Sequence, residues 1–171
     1  YAWQNCSALT SFPAGAKLGT SAQSVNFRNA WYSSGLTSFP ALDLSKGNIF
    51  LSAWQFCSAL TSFPSDALLG TEANGIVVNF QSAWAYCLSL ESFPALDMSK
   101  GLNIAYTWTG CNALTDFGAI DARNATNFSY AWRGCSALTS FPSDALLGTE
   151  ATIVNFQSAW EGCGLTSFST P

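Results

Sequence analysis

One sixteen-residue word is written along this chain seven times, and any fold must give all seven copies equivalent surroundings. A full copy is Asn127-Phe128-Ser129-Tyr130-Ala131-Trp132-Arg133-Gly134-Cys135-Ser136-Ala137-Leu138-Thr139-Ser140-Phe141-Pro142, of the form N-F-x-x-A-W-x-x-C-x-x-L-T-S-F-P. Trp3, Trp31, Trp54, Trp84, Trp108, Trp132 and Trp160 mark the copies and are all the tryptophans present. Six are followed three residues on by Cys6, Cys57, Cys87, Cys111, Cys135 and Cys163, which are all the cysteines. Ser34 stands at that position in the second copy. Successive tryptophans lie 28, 23, 30, 24, 24 and 28 residues apart. Periods of this size belong to stacked arrays, in which each unit buries its apolar face only against its neighbours. Residues 1–171 are therefore expected to form a single solenoid of about seven repeats.

Most of the variation in spacing lies in one place, between the Phe-Pro of one copy and the Asn-Phe of the next. Short connectors read Ala41-Leu42-Asp43-Leu44-Ser45-Lys46-Gly47 and Ala95-Leu96-Asp97-Met98-Ser99-Lys100-Gly101. Long ones read Ser65-Asp66-Ala67-Leu68-Leu69-Gly70-Thr71-Glu72-Ala73, repeated letter for letter at 143–151. Length change is thus mainly confined to one side of each coil, where insertion is tolerated. The chain starts and stops inside copies, so a piece of a longer array is expected, with any signal or anchor outside it.

Within a unit, Phe80, Ala83, Trp84 and Cys87 stand at i, i+3, i+4 and i+7, the spacing of one helical face. Asn79 and Asn127 precede their runs as candidate N-caps. After the turn, Leu138-Thr139-Ser140-Phe141-Pro142 reads as a bend into a short strand. Phe141 would point inward, with Ser140 and Pro142 pointing out. Proline cannot donate to a ladder, so the strand ends there. The expected fold is an α/β repeat: a right-handed, leucine-rich-repeat-like solenoid with a short parallel strand and a short helical turn per coil.

A unit of Asn-Phe, helical turn, Cys and Leu-x-x-Phe, closing on Leu42-Asp43-Leu44-Ser45, resembles the leucine-rich repeat superfamily. The likeness is to its BspA-like bacterial surface branch and the related surface-lipoprotein repeats, and also to repeats in marine phage structural proteins. Asn26-Phe27, Asn79-Phe80 and Asn155-Phe156 match the opening of that family's unit, and Leu60-Thr61-Ser62 its close. The chain departs from the pattern in its Trp before Cys, in Phe and Ala at methionine positions, and in Phe-Pro for the second leucine. The resemblance implies a non-enzymatic adhesion or recognition module displayed on a cell or virion surface, binding a protein or glycan. It supplies no catalytic residue to carry over.

Composition narrows the function further. Only six cations occur, well spread, and the net charge is −4, which argues against nucleic acid or an anionic membrane as partner. No apolar run approaches the length of a membrane span. Histidine is absent, as are a phosphate-cradling Gly loop and a nucleophile elbow, so no catalytic residue, metal site or cofactor is expected. The cysteines read as small buried thiols rather than disulfides or zinc ligands. The tryptophans read as core, each indole N–H seeking a partner such as a carbonyl of the next coil.

Binding then falls to the outward strand rows. These are Ser11, Ser38, Ser62, Ser92, Asp116, Ser140 and Ser167, beside Thr10, Thr37, Thr61, Glu91, Thr115, Thr139 and Thr166. The rows are broken at Glu91, at Asp116 and at Gly118, which replaces proline. Glu91, Ser92, Thr115, Asp116 and Gly118 are the candidate ligand-binding residues. Asp43, Asp66, Asp97, Asp121 and Asp144 read as a further column of turn-forming carboxylates rather than a calcium ladder. The residues after each Trp should face outward, with Tyr32, Phe56 and Tyr86 forming a small aromatic patch. A purely structural spacer is the main competing role, and ice binding through the Thr/Ser rows the least favoured.

Overall fold

The computed structural model describes residues 2–73 and 77–167. Among these lie ten strands of two or three residues and no helix. In chain order they are β1 Val25–Asn26, β2 Asp43–Leu44, β3 Gly47–Ile49, β4 Leu68–Leu69, β5 Val78–Asn79, β6 Ser92–Phe93, β7 Gly101–Asn103, β8 Asp116–Phe117, β9 Asp121–Ala122 and β10 Leu146–Leu147. Each strand pair is parallel and joins successive repeats. One column runs β1-β3-β5-β7 and continues as the bridges Asn103↔Asn127 and Asn127↔Asn155. A second joins Ser62, β6 and β8. The third comprises β2-β4, the bridge Asp97↔Asp121, and β9-β10. A coil is therefore tied to the next at Asn-Phe, at Ser-Phe and in the connector, not along one strand.

The expected helical turn is not formed, although its inward face is right. Phe80, Ala83, Trp84 and Cys87 are all fully buried. They are held by two consecutive β-turns, closed by Ala83 N to Phe80 O (3.0 Å) and Cys87 N to Trp84 O (3.2 Å). The third residue of each turn is left-handed: Ser82 at φ 56° and Tyr86 at φ 60°. This frees alternate amides to reach the next coil. Phe80, Ser82, Trp84 and Tyr86 donate to Asn103, Ala105, Thr107 and Thr109 at 2.7–2.9 Å. A helix would consume those amides within itself and leave neighbouring coils unjoined there. The asparagine is correspondingly an Asx turn rather than a helix cap, since Asn79 Oδ1 accepts from Gln81 N at 2.9 Å and Asn127 Oδ1 from Ser129 N at 3.0 Å.

Donation runs forward on the turn side and backward on the strand side, where Thr61 N reaches Thr37 O and Glu91 N reaches Thr61 O. The two sets of peptide dipoles oppose each other, so the stack accumulates no large end charge.

The core is a lattice of aromatic rings. Trp31, Trp54, Trp84, Trp108 and Trp132 stack with centroids 5.0–5.9 Å apart and planes within 9°. Faces in contact lie only about 3.5 Å apart, so rings spaced at 5.0 Å must tilt by about 45° to the stack. The Phe column of the strand side tilts the opposite way. Phe63 meets Trp54 at 77° and Trp84 at 80°, with centroids 5.0 Å apart in both pairs. The coil spacing thus produces a herringbone, in which offset-stacked and edge-to-face contacts alternate.

The indole N–H groups of Trp31, Trp54, Trp84, Trp108 and Trp132 are buried without a hydrogen-bond partner, contrary to the carbonyl expected from sequence. The tryptophan carbonyls of the stack are already engaged: Trp54 O receives Cys57 N (3.1 Å) and the Cys87 thiol (3.2 Å). Each orphaned donor costs about 1–3 kcal/mol. Burial of a large side chain, at about 1.5–3 kcal/mol, and two or more ring pairs, at about 0.5–1.5 kcal/mol each, more than offset it.

Candidate functional site

The strand side presents what the Thr and Ser rows predict, with one qualification. Thr37, Thr61, Thr115, Thr139 and Thr166 are exposed, but the hydroxyls of Thr37, Thr61, Thr115 and Thr166 are not free to donate outward. They donate to Thr10 O, Thr37 O, Glu91 O and Thr139 O of the preceding coil, at 3.2–3.4 Å. Each threonine thereby clamps its own coil to its neighbour and leaves only oxygen lone pairs and a methyl outside.

Glu91, Ser92, Thr115 and Asp116 are brought together. Ser92 is paired with Asp116 across β6 and β8. Glu91 O accepts from Thr115 N (2.9 Å), Thr115 Oγ1 (3.2 Å) and Asp116 N (3.2 Å). Both carboxylate side chains stand exposed on adjacent coils. Such a pair accepts hydrogen bonds and attracts cations, while solvent screening keeps each single contact weak.

Gly118 has a packing explanation. Its amide donates to Phe93 O at 2.7 Å, and a Cβ there would lie 2.2 Å from Ala95 N and 2.5 Å from Pro94 C. The fifth coil presses its backbone onto the Pro94 segment, and only glycine fits.

The aspartates fall into two groups. Asp43, Asp97 and Asp121 form Asx turns, accepting from Ser45 N, Ser99 N and Arg123 N at 3.0–3.3 Å. Hydrogen bonds from Ser45 hold the Asp43 carboxyl below the usual carboxylate range, and those from Arg123 do the same for Asp121. The expected five-residue column is not continuous. Asp43 pairs with Leu68 and Asp121 with Leu146, so Asp66 and Asp144 fall two residues out of register. In the long connectors the aspartate comes two residues after the proline and the paired strand position four, whereas Asp43, which starts its strand, comes three residues after Pro40. Among the described residues no group of three or more metal-ligating side chains gathers. Those long connectors instead place an acid against a cation of the coil before: Glu72 meets Lys46 at 2.7 Å, and Glu150 meets Arg123 at 3.2 Å.

All six cysteines are free. Thiols of Cys57, Cys87, Cys111, Cys135 and Cys163 donate to Trp carbonyls of the preceding coil at 2.9–3.2 Å. Ser34 extends the row, 3.3 Å from the Cys57 sulfur. Burial pushes the Cys87 thiol well up and Cys111 to about 12, which keeps both protonated and unreactive at neutral pH.

On the turn side the expected patch is present. Tyr32 meets Phe56 edge-to-face at 5.5 Å, and Phe56 stacks on Tyr86 at 5.0 Å. Sequence reading missed a second ladder, Tyr106 on Tyr130 at 4.8 Å. The left-handed turn positions that expose it carry no helical period. The residues after Trp are not uniformly outward: Ala85 and Thr109 are buried, because that position lies between the two turn apices. No long apolar helix able to cross a membrane occurs among the described residues. Comparison with protein-family models, with curated proteins and with solved structures returned no match.

Proposed function

We propose that the chain is a non-enzymatic recognition or adhesion module, displayed on a cell or virion surface, that binds a protein or glycan through its strand side. We further propose that the coils turn in the right-handed sense of the leucine-rich, BspA-like repeats that the sequence resembles. The observation that carries the binding reading is the register of β6 on β8. It gathers Glu91, Ser92, Thr115 and Asp116 on adjacent coils of a surface otherwise built from neutral Thr and Ser. Interior positions are committed to stacking, so specificity is left to the outer residues that break the pattern.

The test is binding to arrays of glycans and of cell-surface proteins, comparing the native chain with Glu91→Thr/Asp116→Ser, which restores the common spelling. A tenfold or greater loss for the variant supports the strand-side site. Retention of full affinity removes it. The second reading, a structural spacer, draws on the uninterrupted run of stacked Trp, with Thr clamps on several coils. It predicts no ligand on either array and a stability that climbs as coils are added.

A further inference from the structure

Four aromatic residues occupy backbone positions that penalise them. Phe56 (φ 62°), Tyr86 (φ 60°), Tyr106 (φ 59°) and Tyr130 (φ 58°) are all left-handed. Such a conformation is strained for an ordinary side chain and unstrained for glycine. The stack does not demand these rings. In the column of Phe56 and Tyr86, other coils carry Gly110, Gly134 and Gly162; in the column of Tyr106 and Tyr130, others carry Ser52, Ser82 and Ser158. Each coil bears one aromatic or none at its two apices. Phe56, Tyr86 and Tyr106 are 37–41% exposed. Gly110 is itself shaped to this arrangement, since a Cβ there would lie 2.6 Å from the Tyr86 ring.

Charge is segregated on the same side. Of the chain's ten acids only Glu161 lies within the Phe-to-Cys turn segments, and it is paired with Arg133 at 3.2 Å. Arg28 and Arg133 lie on the turn segments at either end of the aromatic run, and the Arg133 guanidinium sits 5.5 Å from the Tyr130 ring centre. The other nine acids belong to strand side and connectors.

We propose that this turn side is a second docking surface, and that its occupant is an acidic peptide segment carrying apolar side chains. Apolar groups of the ligand cover the paired rings, and its carboxylates accept from the tyrosine hydroxyls on this acid-poor side. A sugar is a poorer fit because the ring faces are already covered: Phe56 and Tyr86 lie on each other with planes 7° apart, and Tyr106 and Tyr130 at 16°. What the surface offers is ring edges and phenol groups, the contact chemistry of tyrosine-rich protein-binding sites. Exposed strain of this kind persists where it serves a function, because glycine would relieve it.

The probe is a displayed library of random twelve-residue peptides, selected on the full chain. Recovered clones are expected to be enriched in Asp and Glu over Lys and Arg and to contain Leu, Phe or Trp. Their binding should weaken at least tenfold on Phe56→Gly/Tyr86→Gly/Tyr106→Gly/Tyr130→Gly, and weaken also as salt is raised. Each clone is measured on Glu91→Thr/Asp116→Ser in parallel, so loss of one surface is separable from loss of the other. Circular dichroism and thermal melting establish that the glycine variant is folded; if it is not, Tyr86→Gly and Tyr130→Gly are read singly. Full binding by the folded glycine variants, clones without acidic enrichment, or loss confined to the Glu91/Asp116 variant would each overturn the proposal.

Discussion

Removing one central tryptophan tests whether the herringbone holds the coils together. Trp84 is fully buried, stacked on Trp54 at 5.0 Å and Trp108 at 5.9 Å, with Phe63 and Phe93 edge-to-face at 5.0 and 4.8 Å. Replacement by alanine removes partners on both sides and leaves a void that the rigid coil spacing cannot close. The cost for a buried Trp is about 3–5 kcal/mol. Alanine also removes the orphaned indole N–H, and relief of that penalty, about 1–3 kcal/mol, holds the loss toward the lower part of the range. At about 2–4 °C per kcal/mol for a chain of this size, the melting midpoint should fall by roughly 6–20 °C. Trp3→Ala is the control. Trp3 is only half-buried and touches a single stacked neighbour, Trp31 at 5.5 Å, plus Phe12 at 4.7 Å. Its loss should cost less than half as much. The assay is urea unfolding followed by far-UV circular dichroism, with melting as a second measure. Equal losses for the two variants would refute the argument, because end and middle coils would then depend equally on their tryptophans.

The thiol row predicts a reactivity pattern: at pH 8 a disulfide-exchange reagent should modify exposed Cys6 quickly, while Cys87 and Cys111 react only on unfolding, as read by peptide mass mapping. Acid should weaken the fold through the Asx turns. Asp43 and Asp121 have folded pKa values held below the unfolded value, so their contribution is present above about pH 4 and is lost as pH falls through the folded pKa. Asp121→Asn should flatten the slope of stability against pH in that window, measured by urea unfolding at a series of pH values; an unchanged slope would exclude the Asp121–Arg123 contact as its source.

The sequence disclosed which residues face inward and failed to disclose the backbone that turns them there. Phe128, Ala131, Trp132 and Cys135 are buried as their spacing requires. Two β-turns of three-residue span nonetheless place i, i+3, i+4 and i+7 on one side as well as a helix does. The two differ in where the amides go, and apolar periodicity carries no information about that. A usable signal lay elsewhere, in the recurrence of Asn, Ser or Gly at both apices: Asn29, Ser52 and Ser82 in one column, Gly110, Gly134 and Gly162 in the other. Residues tolerant of φ > 0 every four positions fit consecutive turns and are poor choices inside a helix. The candidate strand-side pair was legible because register follows from the repeat itself. The packing role of Gly118 was not legible, since the 2.2 Å approach of a Cβ there to Ala95 exists only between coils.

The same distinction explains why the two outer surfaces differ in kind. On the strand side, a threonine is useful to the fold because its hydroxyl clamps the preceding coil, so Glu91 forfeits a clamp that Thr37, Thr61, Thr115 and Thr166 each provide. On the turn side, glycine is the unstrained residue, so each ring at an apex opposes the local backbone preference. In both places the residues that depart from the repeat are less favourable locally than the ones they replace, and the core beneath them keeps its stacking: Trp84 and Trp108 stay within 4° of parallel, at 5.9 Å. A stack that relied on its surface could not accommodate such departures. One that draws its stability from the buried rings can, and that separation is what allows outer residues of adjacent coils to vary without unmaking the array.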